Sequence, residues 1–416
     1  MSSDHPSTAS SPATASASAT ASSRGAVPAF QVMSVLQRVA ELRAQGRDVI
    51  SLCAGEPSGG APSAVNRAAA EAHADTALNY TPAAGLPQLR AAIAGHYAHW
   101  YGTQVDPEEV IVTTGASGAF LLSFLAAFDA GDRVALASPG YPAYRNILTA
   151  LGLQVVELPS GEAARYQPTP ELLDAAEAEH GRLAGLIVAS PANPTGTMLN
   201  RAELTALHAW CTEHGTRLIS DEIYHGITYP APGEPDPRGV SARELGTDSV
   251  VISSFSKYWG MPGWRVGWLL APPELRANIE ALAGNVALCP PHAAQRAAAM
   301  AFDDAAYQFG DLQVAGFAQT RAALLERLPE LGWGPVAPSD GAFYLYAQLG
   351  TALGGFPDAA AWCAALLEEE GVALTPGDDF DAVHGRQAVR LSFAAGPDAV
   401  LAAVERILVF QRRHAA

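Results

Sequence analysis

RLISDEIY, residues 217–224, is a short apolar run that ends abruptly on two carboxylates and a tyrosine. A run of this length with β-branched character reads as a strand buried on both faces, and the charged residues at its end mark the place where it leaves the core. The same pattern recurs on either side: VIVTTG at 110–115, RVALASP at 133–139, QVVEL at 154–158, GLIVASP at 185–191, SVVISSFS at 249–256 and WRVGWLL at 264–270. Segments of helical periodicity separate these runs. Strands alternating with helices predict an α/β fold, a mostly parallel seven-stranded sheet covered by helices. Ligands in such sheets bind beyond the carboxyl ends of the strands, where the polar residues of these runs cluster. After about residue 290 the texture changes to Ala- and Leu-rich helices, 358–370 and 398–412, around the short strands GAFYLYAQL and AVRLSF. This predicts a smaller α+β domain. The expected division is a Ser/Ala/Thr-rich disordered arm over 1–27, a segment 28–60 that packs with the small domain, a large domain 61–289 and a small domain 290–416. No internal repeat is visible.

Composition narrows the function. Half of the 416 residues are apolar, enough for a large core. The formal net charge of -17 argues against a nucleic-acid surface, which needs a basic stripe. Cys53, Cys211, Cys289 and Cys363 are far apart, with neither metal-ligand nor disulfide-framework spacing, which suits a reducing cytoplasm. The first 24 residues have no basic start and no signal-peptide core, and no apolar stretch is long enough to span a bilayer, so a soluble protein without membrane contact is expected. Lysine and arginine together number 25, and Lys257 is the only lysine. A lone amine among guanidinium groups suggests a task that needs a proton to leave.

Five segments carry the chemistry: GASGA at 115–119, SPANPTG at 190–196, SDEIY at 220–224, SSFSK at 253–257 and GWRVG at 263–267. GASGA follows a strand and opens a helix, so its free N–H groups and the helix dipole can face an anion. Asp221 ends an apolar strand, where an unpaired carboxylate is expensive to bury. In this order the five segments resemble the class I and II aminotransferases of pyridoxal-phosphate (PLP) fold type I, over about Pro28 to the C-terminal helix.

The resemblance implies pyridoxal 5'-phosphate as cofactor and a role for each matching position. Lys257 is the Schiff-base lysine and the base that moves the substrate's α-proton. Asp221 partners the pyridine nitrogen. Tyr224 and Asn193 address the phenolic oxygen, and Tyr141 stacks on the ring. Ala116, Ser117, Ser254 and Arg265 hold the phosphate. Arg390 grips the substrate α-carboxylate, which Gly55 and Asn193 also approach. Tyr80 reaches the phosphate of a neighbouring subunit, which implies a homodimer with shared active sites. The implied activity is transfer of an amino group between an amino acid and a 2-oxo acid by a ping-pong mechanism. A β-lyase or synthase of the same fold, or a non-catalytic PLP-binding regulator module, would share the constellation, though the latter is expected to need a basic DNA-reading domain, for which the N-terminal arm is short and offers one basic residue, Arg24. Two positions depart from the family pattern: GEPSG at 55–59 where GEPDF is common, and Pro262 where Thr or Ser is common. The substrate side chain is expected to be neutral, because the anticipated pocket lining, Phe30 and the segment Asn285–Cys289, offers no cation to an acidic group.

Overall fold

The computed structural model describes residues 21–74, 77–230 and 233–415. Twelve strands are present among them: β1 (Ile50–Ser51), β2 (Val110–Thr113), β3 (Arg133–Ser138), β4 (Gln154–Pro159), β5 (Gly185–Ala189), β6 (Arg217–Asp221), β7 (Val250–Ser254), β8 (Gly267–Leu270), β9 (Tyr344–Gln348), β10 (Val372–Ala373), β11 (Thr375–Pro376) and β12 (Ala388–Ser392). Each of the seven apolar runs supplies one strand of a seven-stranded sheet, in the order β2-β8-β7-β6-β5-β3-β4. Only β8 runs antiparallel to its neighbours, β7 and β2.

Why the runs are continuously apolar is visible in their packing. Along each strand successive side chains enter opposite cores. Leu218 faces the same hydrophobic cluster as Val112, Leu186, Val251 and Leu270. Ile219 faces the other cluster, with Ile111, Ile187, Ile252 and Leu269. All of these are buried, so neither face has an alternating polar position. Truncating Ile219 to Ala would cost about 2–5 kcal/mol. Helices 115–127, 142–151 and 273–286 cover one face, while 87–101 and 201–214 contribute to the other.

The carboxyl end of the chain adds an antiparallel sheet, β11-β12-β9, with Arg390 opposite Tyr346 and Thr375. Helices 304–331, 359–370 and 397–413 pack around it. β1 pairs in parallel with β10, which ties residues 50–51 to this C-terminal unit. Of the expected N-terminal arm, residues 1–20 lie outside the described residues. Ser23–Gly25 form a single 3-10 turn, and the Arg24 side chain donates to the Ala150 carbonyl. No helix among the described residues is long and apolar enough to cross a membrane.

Candidate active site

Because β2, β3, β5, β6 and β7 all point the same way, their carboxyl ends meet along one edge of the sheet. A cavity of about 480 Å³ opens there, and Ala116, Ser117, Tyr141, Asn193, Asp221, Tyr224, Ser254, Lys257, Arg265, Gly55 and Arg390 all line it. A larger cleft, about 930 Å³, lies beside β4 between Glu157, Tyr346 and Asp381, and none of those residues reaches it.

One wall of the cavity is built for an anion. Gly115 opens the helix Gly115–Ala127 at φ +70°, and a Cβ there would lie 2.5 Å from Arg265 Nη2. Glycine therefore lets the guanidinium rest on the helix start, where unpaired N–H groups and the positive end of the helix dipole already favour negative charge. Arg265 is itself held in the left-handed region, at φ +54°, and donates to the Pro262 carbonyl at 2.9 Å. The contact uses the backbone oxygen, so proline at 262 is compatible with it. Ser254 Oγ lies 2.7 Å from Ser256 Oγ and accepts the Ser256 N–H at 3.0 Å.

Asp221 ends β6, almost fully buried. Its Oδ1 accepts the Ile223 N–H at 3.1 Å, and its Oδ2 accepts the Tyr144 hydroxyl. Burial raises its pKa to about 6 despite these bonds and the attraction of Lys257. Lys257 follows β7 in a turn. Its Nζ donates to the Gly55 carbonyl at 2.6 Å and sits 5.5 Å from the centre of the Tyr224 ring. Burial lowers its pKa to about 8; Glu56 opposes that shift and Arg390 adds to it. Desolvation thus governs both groups, and their mutual attraction is the smaller effect.

Arg390 is buried in β12. It donates to Asn193 Oδ1 at 2.8 Å and to the Cys53 carbonyl at 2.6 Å, while its Nε has no partner. The guanidinium lies between two rings, 4.6 Å from the Tyr344 centroid and 4.8 Å from that of Phe380. Tyr224 places its hydroxyl 2.6 Å from that of Tyr344. Tyr141 has its ring stacked on Phe30 at 6.0 Å.

Two expectations about position do not hold within one chain. The segment Asn285–Cys289 does not line the cavity; Val286 and Leu288 point to the surface, about half exposed. Phe30 contacts Tyr141 without facing the cavity itself, and Val32, Met33 and Leu36 of the helix Gln31–Ala44 form that wall instead. The apolar character expected there survives, with different residues. Tyr80 is 81% exposed and is absent from the lining of its own chain's cavity.

Sequence reasoning missed Tyr144 and Tyr344. Tyr144 had a signal, since it follows Tyr141 at helical spacing; Tyr344 had none, because its place diagonal to Arg390 comes from the β9–β12 register, which the sequence does not show.

An anion wall at a helix start, a buried carboxylate and one amine of lowered pKa facing the same cavity match the phosphate, ring nitrogen and aldehyde of pyridoxal 5'-phosphate. The family model "Aminotransferase class I and II" matches residues 47–407. This chain belongs to that family. Aminotransferases of this class use pyridoxal 5'-phosphate, and the chain is accordingly an amino acid/2-oxo acid aminotransferase of PLP fold type I. A valine–pyruvate aminotransferase of Mycobacterium tuberculosis is 47% identical over 92% of this chain and 96% of that protein. An aspartate aminotransferase of Geobacillus stearothermophilus is 34% identical over the same shares. Among solved structures, an aminotransferase from Mycobacterium tuberculosis superposes with a TM-score of 0.90 at 46% identity, covering 95% of this chain and all of that one. The Thermus thermophilus aspartate aminotransferase (a double mutant) gives 0.85 at 32% identity, covering 94% and 99%.

Proposed function

We propose that this aminotransferase acts on amino acids with neutral, apolar side chains. The observation that carries this reading is the use of cations in the cavity. Among the described residues lining it, only Lys257, Arg265 and Arg390 are basic, and each already has a task. An acidic side chain would find no fourth cation, and the Glu56 carboxylate on the same wall would repel it. Val32, Met33, Leu36 and Ile223 instead offer apolar surface. The 47% identity to a valine–pyruvate enzyme supports the same conclusion. Specificity constants for valine, alanine and phenylalanine against aspartate and glutamate test it. The neutral set should win by more than about tenfold, roughly 1.4 kcal/mol of transition-state binding, and preference for an acidic amino acid would reverse the reading.

The cofactor, when bound, supplies the electron sink for the pair left on the substrate's α-carbon. The chain's residues do the rest. Arg265, the N–H groups of Gly115–Ala119, Ser117 and Ser254 hold the phosphate. Asp221 keeps a proton on the ring nitrogen, Asn193 and Tyr224 face the phenolic oxygen, and Tyr141 stacks on the ring. Arg390, with the Gly55 backbone, orients the α-carboxylate so that the Cα–H bond faces Lys257. Lys257 first holds the cofactor and then moves the proton at Cα. Its lowered pKa leaves a useful neutral fraction near pH 8. The donor leaves as its 2-oxo acid before the acceptor enters, which is a ping-pong order.

The same reading places 28–60 with the small domain, 61–289 as the large domain and 290–416 as the small domain, supported by the β1–β10 pairing. The working unit is a homodimer. Tyr80, Leu78, Val286 and Leu288 are exposed in one chain, and the Asn79 carbonyl lies 2.6 Å from His292 Nδ1, which ties the first pair to the start of the helix that follows the second. In the dimer this surface is covered and Tyr80 reaches the partner's phosphate site. The compartment is the cytoplasm, in keeping with free thiols at Cys53, Cys211, Cys289 and Cys363.

A further inference from the structure

Tyr344 touches both halves of the site without belonging to any motif that recognised it. It lies on β9, fully buried. The face of its ring carries the Arg390 guanidinium at 4.6 Å, and its hydroxyl lies 2.6 Å from that of Tyr224. Gly55 leaves room for that hydroxyl, since a Cβ there would come within 2.6 Å of it. The absence of a side chain at 55 leaves the space this oxygen occupies.

We propose that Tyr344 is a positioning residue that holds two groups in fixed relation, the arginine that takes the substrate carboxylate and the tyrosine that faces the cofactor's phenolic oxygen. The inference rests on the roles given above to Arg390 and Tyr224. Its direction follows from proton counting. Each tyrosine hydroxyl carries one hydrogen. If Tyr224 spends its hydrogen on the phenolic oxygen, the short contact with Tyr344 must be made by the Tyr344 hydrogen. That donation polarises the Tyr224 O–H and makes it a stronger donor. Without it, more negative charge stays on the phenolic oxygen, and the neighbouring nitrogen holds its proton to higher pH.

The ring and the hydroxyl can be removed separately. In the holoenzyme, Tyr344→Phe should move the pH midpoint of the cofactor's visible absorbance up by about half a unit or more, the size expected for one ordinary hydrogen bond, with KM for the amino acid changed less than about threefold. Tyr344→Leu should give the same spectral shift and also raise KM about tenfold or more, because Arg390 loses the face it rests on. In a Tyr224→Phe background, Tyr344→Phe should give no further shift. A midpoint unmoved by Tyr344→Phe, or a shift that persists without the Tyr224 hydroxyl, overturns the proposal. Should Tyr344→Leu fail to fold, the two phenylalanine variants still decide the hydroxyl's role. A parent enzyme with no titrating visible band would instead contradict the reading of the site itself.

Discussion

The Tyr144 hydroxyl donates to Asp221 Oδ2, deep in the core where β6 ends. The bond opposes the desolvation that raises the Asp221 pKa. Tyr144→Phe should therefore raise that pKa further and weaken the carboxylate's hold on a proton at the ring nitrogen. A hydrogen bond to a charged group contributes about 1.5–3 kcal/mol, and part of it should appear in the rate. We expect kcat to fall about three- to tenfold with KM little changed. An unchanged kcat would show that Ile223 N–H alone suffices to hold Asp221.

Asp221 should make the apoenzyme less stable than it could be. Its folded pKa, about 6, lies above the ordinary aspartate value of 3.8. Between those two pH values the folded chain binds more protons than the unfolded chain, so stability falls as pH rises through the window and stays low above it. Asp221→Asn should accordingly stabilise the apoenzyme by about 1–3 kcal/mol at pH 7.5, with a smaller gain at pH 4.5, while turnover of the holoenzyme drops strongly. Thermal melting of cofactor-free parent and variant at both pH values checks this. Equal Tm at pH 7.5 would mean that the carboxylate is better satisfied than its burial suggests.

Lys257 titrates in the opposite sense. Burial lowers its pKa from 10.5 to about 8, so the neutral amine that the proposed mechanism requires is abundant at a pH where an exposed lysine is nearly all protonated. The rate of pyridoxal phosphate uptake by the apoenzyme should rise with pH and level off above about 8. A rate still climbing toward pH 10.5 would indicate an amine open to water.

How much of this was legible in the sequence depends on the range of the interaction. The strand runs were readable because both faces of each strand are buried, which leaves a continuous apolar signature, as in Val250, Val251 and Ile252. Lys257 stood out by composition. The wall formed by Val32, Met33 and Leu36 was not readable, because the helix Gln31–Ala44 reaches the cavity only through packing with the C-terminal unit, where residues 50–51 pair with 372–373. Tyr344 was hidden for a different reason. In an antiparallel strand of buried aromatics, nothing local distinguishes a core tyrosine from one that supports Arg390.

Gly55 and Tyr344 are coupled by space. Gly55→Ala would bring a methyl group to 2.6 Å from the Tyr344 hydroxyl, whereas the ring carbon that bears the hydroxyl is 3.7 Å away, ordinary contact. Gly55→Ala alone should lower kcat/KM about tenfold or more, as overpacking of about 1–3 kcal/mol implies. Adding Tyr344→Phe should recover part of the loss, measured by the same kinetics. If the double variant is no better than the sum of the two single changes, the clash lies elsewhere.

The most direct test is a single half-reaction. Purified holoenzyme mixed with excess L-valine and no 2-oxo acid should lose the visible absorbance of the aldehyde form of the cofactor. It should release one equivalent of the corresponding 2-oxo acid per active site and then stop, with Lys257→Arg inert under the same conditions. Continued product formation with release of ammonia, or reaction with aspartate but not valine, would contradict the account.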